Sequence, residues 1–339
     1  EIECGCSTYP HYCLRPRQAD SDHPIEPPEF LFAAGKQGMP DSQVRAEARG
    51  EELSLVDLSD LGIVRVSGWR AQPLLQDVCT VDIAALQPGQ GTRSFVLDGS
   101  GTIIDDVVIW RLIRDGRGRD QYLIFANPEN VDHVISWLRG LSDGYVLFDE
   151  GDVWRKVRGP AKVESLGDVA FAVRGPQARE ALSRVLDVPA KALPGTGGGL
   201  SIAHLLHEER KLWVTCDGSV PQDTWYCVLG SEAEVRAVWD VLLEAGALPL
   251  EVPRVRHAWR ARIGLPPVWP TAGGGSRRTH LNERDARLYW ERLPHLFDAS
   301  KPYFVGQSVL PQPTDVVGKR TFAWAEPADV PRVGDSLLR

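Results

Sequence analysis

The chain has 339 residues, enough for two or three compact units with sizeable cores. Its 43% hydrophobic and 25% charged residues are the proportions of an ordinary globular protein. A net charge of −8 argues against non-specific nucleic-acid binding, which needs a basic surface, although Arg254, Arg256, Arg260 and Arg262 lie close together. No apolar run approaches the roughly 18 residues of a membrane span. The chain starts at Glu1 with no initiator Met and no signal-like segment, which leaves room for a segment removed upstream; the expectation is a soluble protein of a reducing cytoplasm or organellar matrix.

Residues 1–30 contain Pro10, Pro16, Pro24, Pro27 and Pro28 and little periodicity. They read as an extended arm that orders on a protein partner. Cys4, Cys6 and Cys13, with His11 nearby, match no standard zinc spacing; a metal, a disulfide and unpaired thiols all stay open. Cys79, Cys216 and Cys227 sit in apolar contexts and read as buried thiols.

A first α+β unit is expected over 31–160. Ser42–Glu52 looks helical, Leu55–Ser59 and Gly62–Ser67 read as strands, and Trp69–Cys79 carries a helical apolar stripe. Next comes a hairpin: strand Ser94–Leu97, the turn Asp98-Gly99-Ser100-Gly101, then strand Thr102–Leu112. Alternation places Asp105, Val107 and Ile109 on one face and Asp106, Val108 and Trp110 on the other. Two adjacent carboxylates therefore point in opposite directions on a strand apolar enough to be buried. There, an unpaired charge costs several kcal/mol, on the order of 3–5. One can serve a pocket while the other faces water or caps a neighbouring element. Strand Gln121–Ala126 ends at Asn127, helix Glu129–Gly140 follows, and Tyr145–Asp149 and Trp154–Val157 look strand-like.

A second α+β unit is expected over 161–300. Strand Val169–Val173, helix Gln177–Leu186, strands Leu200–Leu206, Lys211–Thr215 and Trp225–Leu229, and the amphipathic helix Glu232–Glu244 follow in order. The strand–helix–strand–strand–helix–strand order, met twice, suggests two ferredoxin-like units, closed by a short β segment at 301–339. His204 and His207, three apart on a strand, fall on opposite faces and make a poor metal pair.

Five stretches together resemble one family. They are VDLSDLGIVRVSG at 56–68, GSGTIIDDVVIWRL at 99–112, FAVRGPQAREAL at 171–182, RARIGLP at 260–266, and KPYFVGQSVL at 301–310. Taken in order, they resemble the glycine-cleavage T-protein (aminomethyltransferase) family and its folate-binding YgfZ-like relatives. The resemblance implies an α+β T-protein/YgfZ-like fold around a central tetrahydrofolate site. It places Asp105 on the catalytic aspartate, Asn127 on an asparagine of the same pocket, and Arg256 near the anionic folate tail. The pterin-reading loop falls on 218–222, where Gln222 stands for the family's glutamate and Asp223 is the neighbouring carboxylate. Other departures are Arg262 in place of a glutamate and Tyr303 in place of the YgfZ-like cysteine. A phenol with a pKa of about 10 does no thiolate chemistry at neutral pH.

Three functions follow from the resemblance. The first is folate binding of the YgfZ-like kind, serving one-carbon transfer or iron–sulfur enzyme maintenance. The second is a degenerate, non-catalytic subunit or adaptor that uses the arm at 1–30 to hold a protein partner. The third is a tetrahydrofolate-dependent aminomethyltransferase or demethylase that relies on Asp105 and Asp106.

Overall fold

The computed structural model describes residues 52–149, 151–195, 197, 199–207, 210–220, 224–250, 259–260, 265, 286–290 and 293–310. The arm at 1–30 with its three cysteines, the expected helix Ser42–Glu52 as far as residue 51, Gln222, Asp223, Arg254, Arg256 and Arg262 lie outside the described residues.

Eleven strands occur among the described residues. The first five are β1 (Ser54–Asp57), β2 (Gly62–Gly68), β3 (Gln90–Leu97), β4 (Ile103–Arg111) and β5 (Asp120–Ala126). The others are β6 (Lys162–Ser165), β7 (Val169–Arg174), β8 (Leu200–His207), β9 (Arg210–Asp217), β10 (Trp225–Gly230) and β11 (Leu248–Leu250). They pair into one sheet in the order β11-β1-β7-β10-β9-β8-β3-β4-β5-β2-β6. Among the described residues, four helices of two turns or more pack on it: α1 (Ala71–Val78), α2 (Val131–Asp143), α3 (Ala178–Val185) and α4 (Glu232–Glu244).

The sheet has two halves. In the first, α1 and α2 set Leu74, Val78, Val134 and Leu138 against Val64, Ile109 and Ile124. In the second, α3 and α4 set Leu182, Val238, Trp239 and Leu242 against Phe171, Val214 and Val228. Both helix pairs follow the apolar periodicity of their sequences, so each covers one face of its half-sheet. Helix α2 stops at Gly144, whose φ of 74° ends the helix in the left-handed conformation that glycine adopts without strain.

The halves meet where β3 pairs with β8 through only two residue pairs, Gln90↔Ser201 and Gly91↔Leu200. A Cβ at Gly91 would sit 2.4 Å from the Trp110 ring, so the crossing needs glycine. Beyond this seam the sheet curls until its uncovered faces meet. Ile63, Leu123 and Phe125 of the first half share a cluster with Ala170, Cys227 and Leu229 of the second. Each half also takes a strand from across residue 160: β1 pairs with β7, and β6 pairs with β2.

The C-terminal segment adds a third layer, with Leu296, Phe297 and Phe304 packed on Phe95, Leu97 and Ile103. Lys301 fixes it. Its buried Nζ donates to the carbonyls of Gln76 and Cys79 (both 2.5 Å) and of Val81 (3.0 Å), at the end of α1. A cation there also meets the negative end of the helix dipole.

The α+β class and the hairpin agree with the sequence reading. Two expected strands do not form. Tyr145–Asp149 and Trp154–Val157 run as irregular chain, with Tyr145, Leu147 and Trp154 exposed. The free edge of β2 is filled instead by β6, a short polar strand that the sequence hides.

Candidate functional site

Strand β4 carries the hairpin's second run, and its alternation sorts the two carboxylates. Val107 and Ile109 face the core under α1 and α2, while Val108 and Trp110 face the cluster between the half-sheets. Asp106 follows Val108 and Trp110. It lines a cavity of about 170 Å³ between the half-sheets, close in size to a ~150 Å³ cavity that accepts a benzene ring. Trp110, Phe125, Trp225 and Trp259 supply aromatic walls, and the Trp225 and Trp259 rings lie 4.7 Å apart.

The charged corner of the cavity is made from distant parts of the chain. Arg260 grips Asp106 with both terminal nitrogens, at 2.9 and 2.7 Å, and the two side chains are only 7% and 10% exposed. Such a fork matches a carboxylate in geometry as well as in charge. A second pair, Arg93 with Asp217, lines the same cavity, and Arg93 also donates to the Ser219 hydroxyl at 3.0 Å. The Cys227 thiol on the wall is pushed up to about 12 by burial and stays protonated at neutral pH.

Asp105, which the resemblance puts in the catalytic role, is placed differently. It lies on the helix-covered face, 1% exposed, and is not part of the cavity lining. Its carboxylate accepts three hydrogen bonds: from the Asn127 backbone N–H (2.8 Å), the Asn127 amide (2.8 Å) and the Asn130 amide (2.7 Å). Burial, and then the negative charge of Asp106, raise its pKa to about 7; the amide bonds oppose this. Asp105 thus ties β4 to the turn that opens α2. Asn127 lines the cavity and links the two carboxylates. Its Nδ2 lies 3.3 Å from Asp106 Oδ1 as well as 2.8 Å from Asp105 Oδ1.

Neither Asn130 nor the pairing of Asp106 with Arg260 is among the features the sequence marks plainly. Asn130 had a signal, since an Asn at the start of a helix is a common cap. Arg260 stands out only as one of the clustered arginines; its pairing with Asp106 carries no local signal, because 154 residues separate the two. At Tyr303 the hydroxyl is buried without a hydrogen-bond partner, the ring packs near Phe148, and the Arg155 guanidinium lies 4.4 Å from its centre. Burial raises its pKa further above the ordinary phenol range. His204 stacks on Trp213 with ring centres 4.0 Å apart. Among the described residues there is no cluster of three or more metal-ligating side chains, and no helix long and apolar enough to cross a membrane.

Comparison with known proteins agrees with this architecture. An aminomethyltransferase of Bdellovibrio bacteriovorus is 29% identical over 291 residues, covering 84% of this chain and 68% of the relative. One from Geobacillus thermodenitrificans is 25% identical over 296 residues, covering 83% and 70%. Among solved structures, the glycine cleavage system aminomethyltransferase T from Bartonella henselae superposes with a TM-score of 0.54 at 20% identity. That match covers 78% of this chain and 64% of the other, and it shows the T-protein fold. Residues 32–249 match the family model of the GCVT N-terminal domain, and the chain belongs to that family.

Proposed function

We propose that the cavity binds a reduced folate, and that the chain acts on the one-carbon unit such a molecule carries. The observation that carries this reading is the cavity itself: a ring-sized aromatic slot with carboxylate, amide and two guanidinium groups at its polar edge. Those residues fit the ligand. Flat walls suit a fused ring, Asp106 and Asn127 suit its nitrogens, and Arg93 and Arg260 suit an anionic tail. Arg256, Gln222 and Asp223 are proposed to complete the site on the strength of the resemblance. Tetrahydrofolate would supply a nucleophilic amine able to carry one carbon. The protein's part is to hold that amine, exclude water with the aromatic walls, and keep a carboxylate beside it.

The test is a calorimetric titration of tetrahydrofolate and its 5-formyl form into wild type, Asp106→Asn and Arg260→Leu. Micromolar binding weakened at least tenfold in both variants supports the reading, since a buried charge-assisted contact contributes about 1.5–3 kcal/mol. Absence of binding to a folded wild type sinks it.

Tyr303 is why a YgfZ-like role in iron–sulfur maintenance is not built on a thiol at this position. A second reading, a binding subunit, is favoured by the irregular stretch after α2, which exposes 87% of Tyr145 and 86% of Trp154. It predicts that removing residues 1–30, or replacing Trp154 by Ser, abolishes co-purification with a partner while the core stays folded. Undiminished co-purification of both variants rules it out.

A further inference from the structure

Asp105 is a buried ionisable group that the folate reading leaves without a task. Its surroundings assign one. The Asn127 amide directs Nδ2 at three acceptors: Asp105 Oδ1 at 2.8 Å, the Asp106 carbonyl at 3.2 Å and Asp106 Oδ1 at 3.3 Å. Turned over, the amide would set its oxygen against those three oxygens, so its orientation is fixed by chemistry. The two contacts from Asp106 are long. The short one comes from Asp105, which also holds the Asn127 backbone N–H and is itself braced by Asn130.

We propose that Asp105 is a positioning residue: from beneath the strand it locks the Asn127 amide nitrogen inward, which leaves the amide oxygen for the cavity. The corner formed by that oxygen and the Asp106 carboxylate then accepts hydrogen bonds only, and it suits an N–H group on the ligand. Asp105 acts on the ligand through Asn127 and never touches it. This rests on the reading that the cavity holds a nitrogen-bearing ligand, and its test separates the two.

The sequence contains three asparagines, Asn127, Asn130 and Asn282, so ¹⁵N-asparagine labelling yields three side-chain NH₂ pairs. The Asn127 pair is followed by NMR in the full-length protein for wild type, Asp105→Leu and Asn130→Ala. Asp105→Leu keeps bulk and removes every acceptor. Asn130→Ala is gentler, loosening Asp105 without touching Asn127 or Asp106, and serves if the first variant does not fold. The expected result is a shifted, faster-exchanging Asn127 pair in each folded variant. With it, the tetrahydrofolate dissociation constant should rise about tenfold in Asn130→Ala, the size of one buried hydrogen bond. An Asn127 pair unchanged in shift and exchange, with only thermal stability lowered, overturns the proposal. If the pair responds but wild type binds no tetrahydrofolate, the folate reading fails and the positioning role stands.

Discussion

On the helix-covered face of β4, Asp105 meets only neutral amide donors, whereas one residue on, across the strand, Asp106 is held by the guanidinium fork of Arg260. Amides satisfy the geometry of a carboxylate without matching its charge, so burial can push Asp105 up to about 7. A guanidinium matches both, and it cannot be deprotonated in a protein. The difference separates two uses of the same side chain. On one face the carboxylate organises the backbone of a turn. On the other it is a charge kept beside a cavity, matched until a ligand competes for it.

The two faces of β4 differ most in what the loss of Arg260 would do. Arg260→Leu leaves the Asp106 carboxylate stranded in a largely apolar cavity, and a loss of about 3–5 kcal/mol is expected in urea unfolding. The double variant Asp106→Leu/Arg260→Leu removes both charges and should lose much less; equal losses would show that the pair is not the cause.

Next in size is the pH dependence on the other face. The folded pKa of Asp105 lies above its unfolded value of 3.8, so the native state keeps a proton that the unfolded chain releases. This contribution is complete below about pH 3.8 and is lost as pH rises through about 7, with a slope of at most about 1.4 kcal/mol per pH unit. Stability measured from pH 5 to 8 should therefore fall less steeply in Asp105→Asn than in wild type. Parallel curves would mean that Asp105 does not titrate in this range.

Asn130→Ala should cost about 1 kcal/mol in the same assay, the net value of one hydrogen bond. Trp154→Ser lies outside both faces and is 86% exposed, so it should stay within about 0.5 kcal/mol of wild type. A larger loss would show that the stretch after α2 packs more tightly than its exposure suggests.

Much of this arrangement is legible along the chain. The Asp-Gly and Ser-Gly pairs mark the hairpin, and period-two alternation sends Asp105 and Asp106 to opposite faces. Alternation does not say which face the helices cover. That depends on α1 and α2 packing from elsewhere, so a family motif with two adjacent aspartates leaves the choice open. Lys162–Ser165 is short and polar, and Leu248–Leu250 is three residues long, so neither carries enough pattern to read as a strand. Tyr145–Asp149 and Trp154–Val157 carry the pattern but pair with no strand, and the outer edge of β2 is taken by β6. The Arg260 fork lies beyond any local rule, because the pairing exists only once the sheet has curled.

The exchange of strands across residue 160 bears on how the chain reaches this state. During synthesis β1 emerges early, yet its hydrogen-bonding neighbours β7 and β11 are among the later strands made. Strand β2 in turn waits for β6 to cover its outer edge. Neither half-sheet can therefore close on its own portion of the chain, and cutting at residue 160 would leave each fragment with an open edge able to pair with another molecule. The two halves are committed to fold together, and a cavity lined from both exists only in the completed molecule.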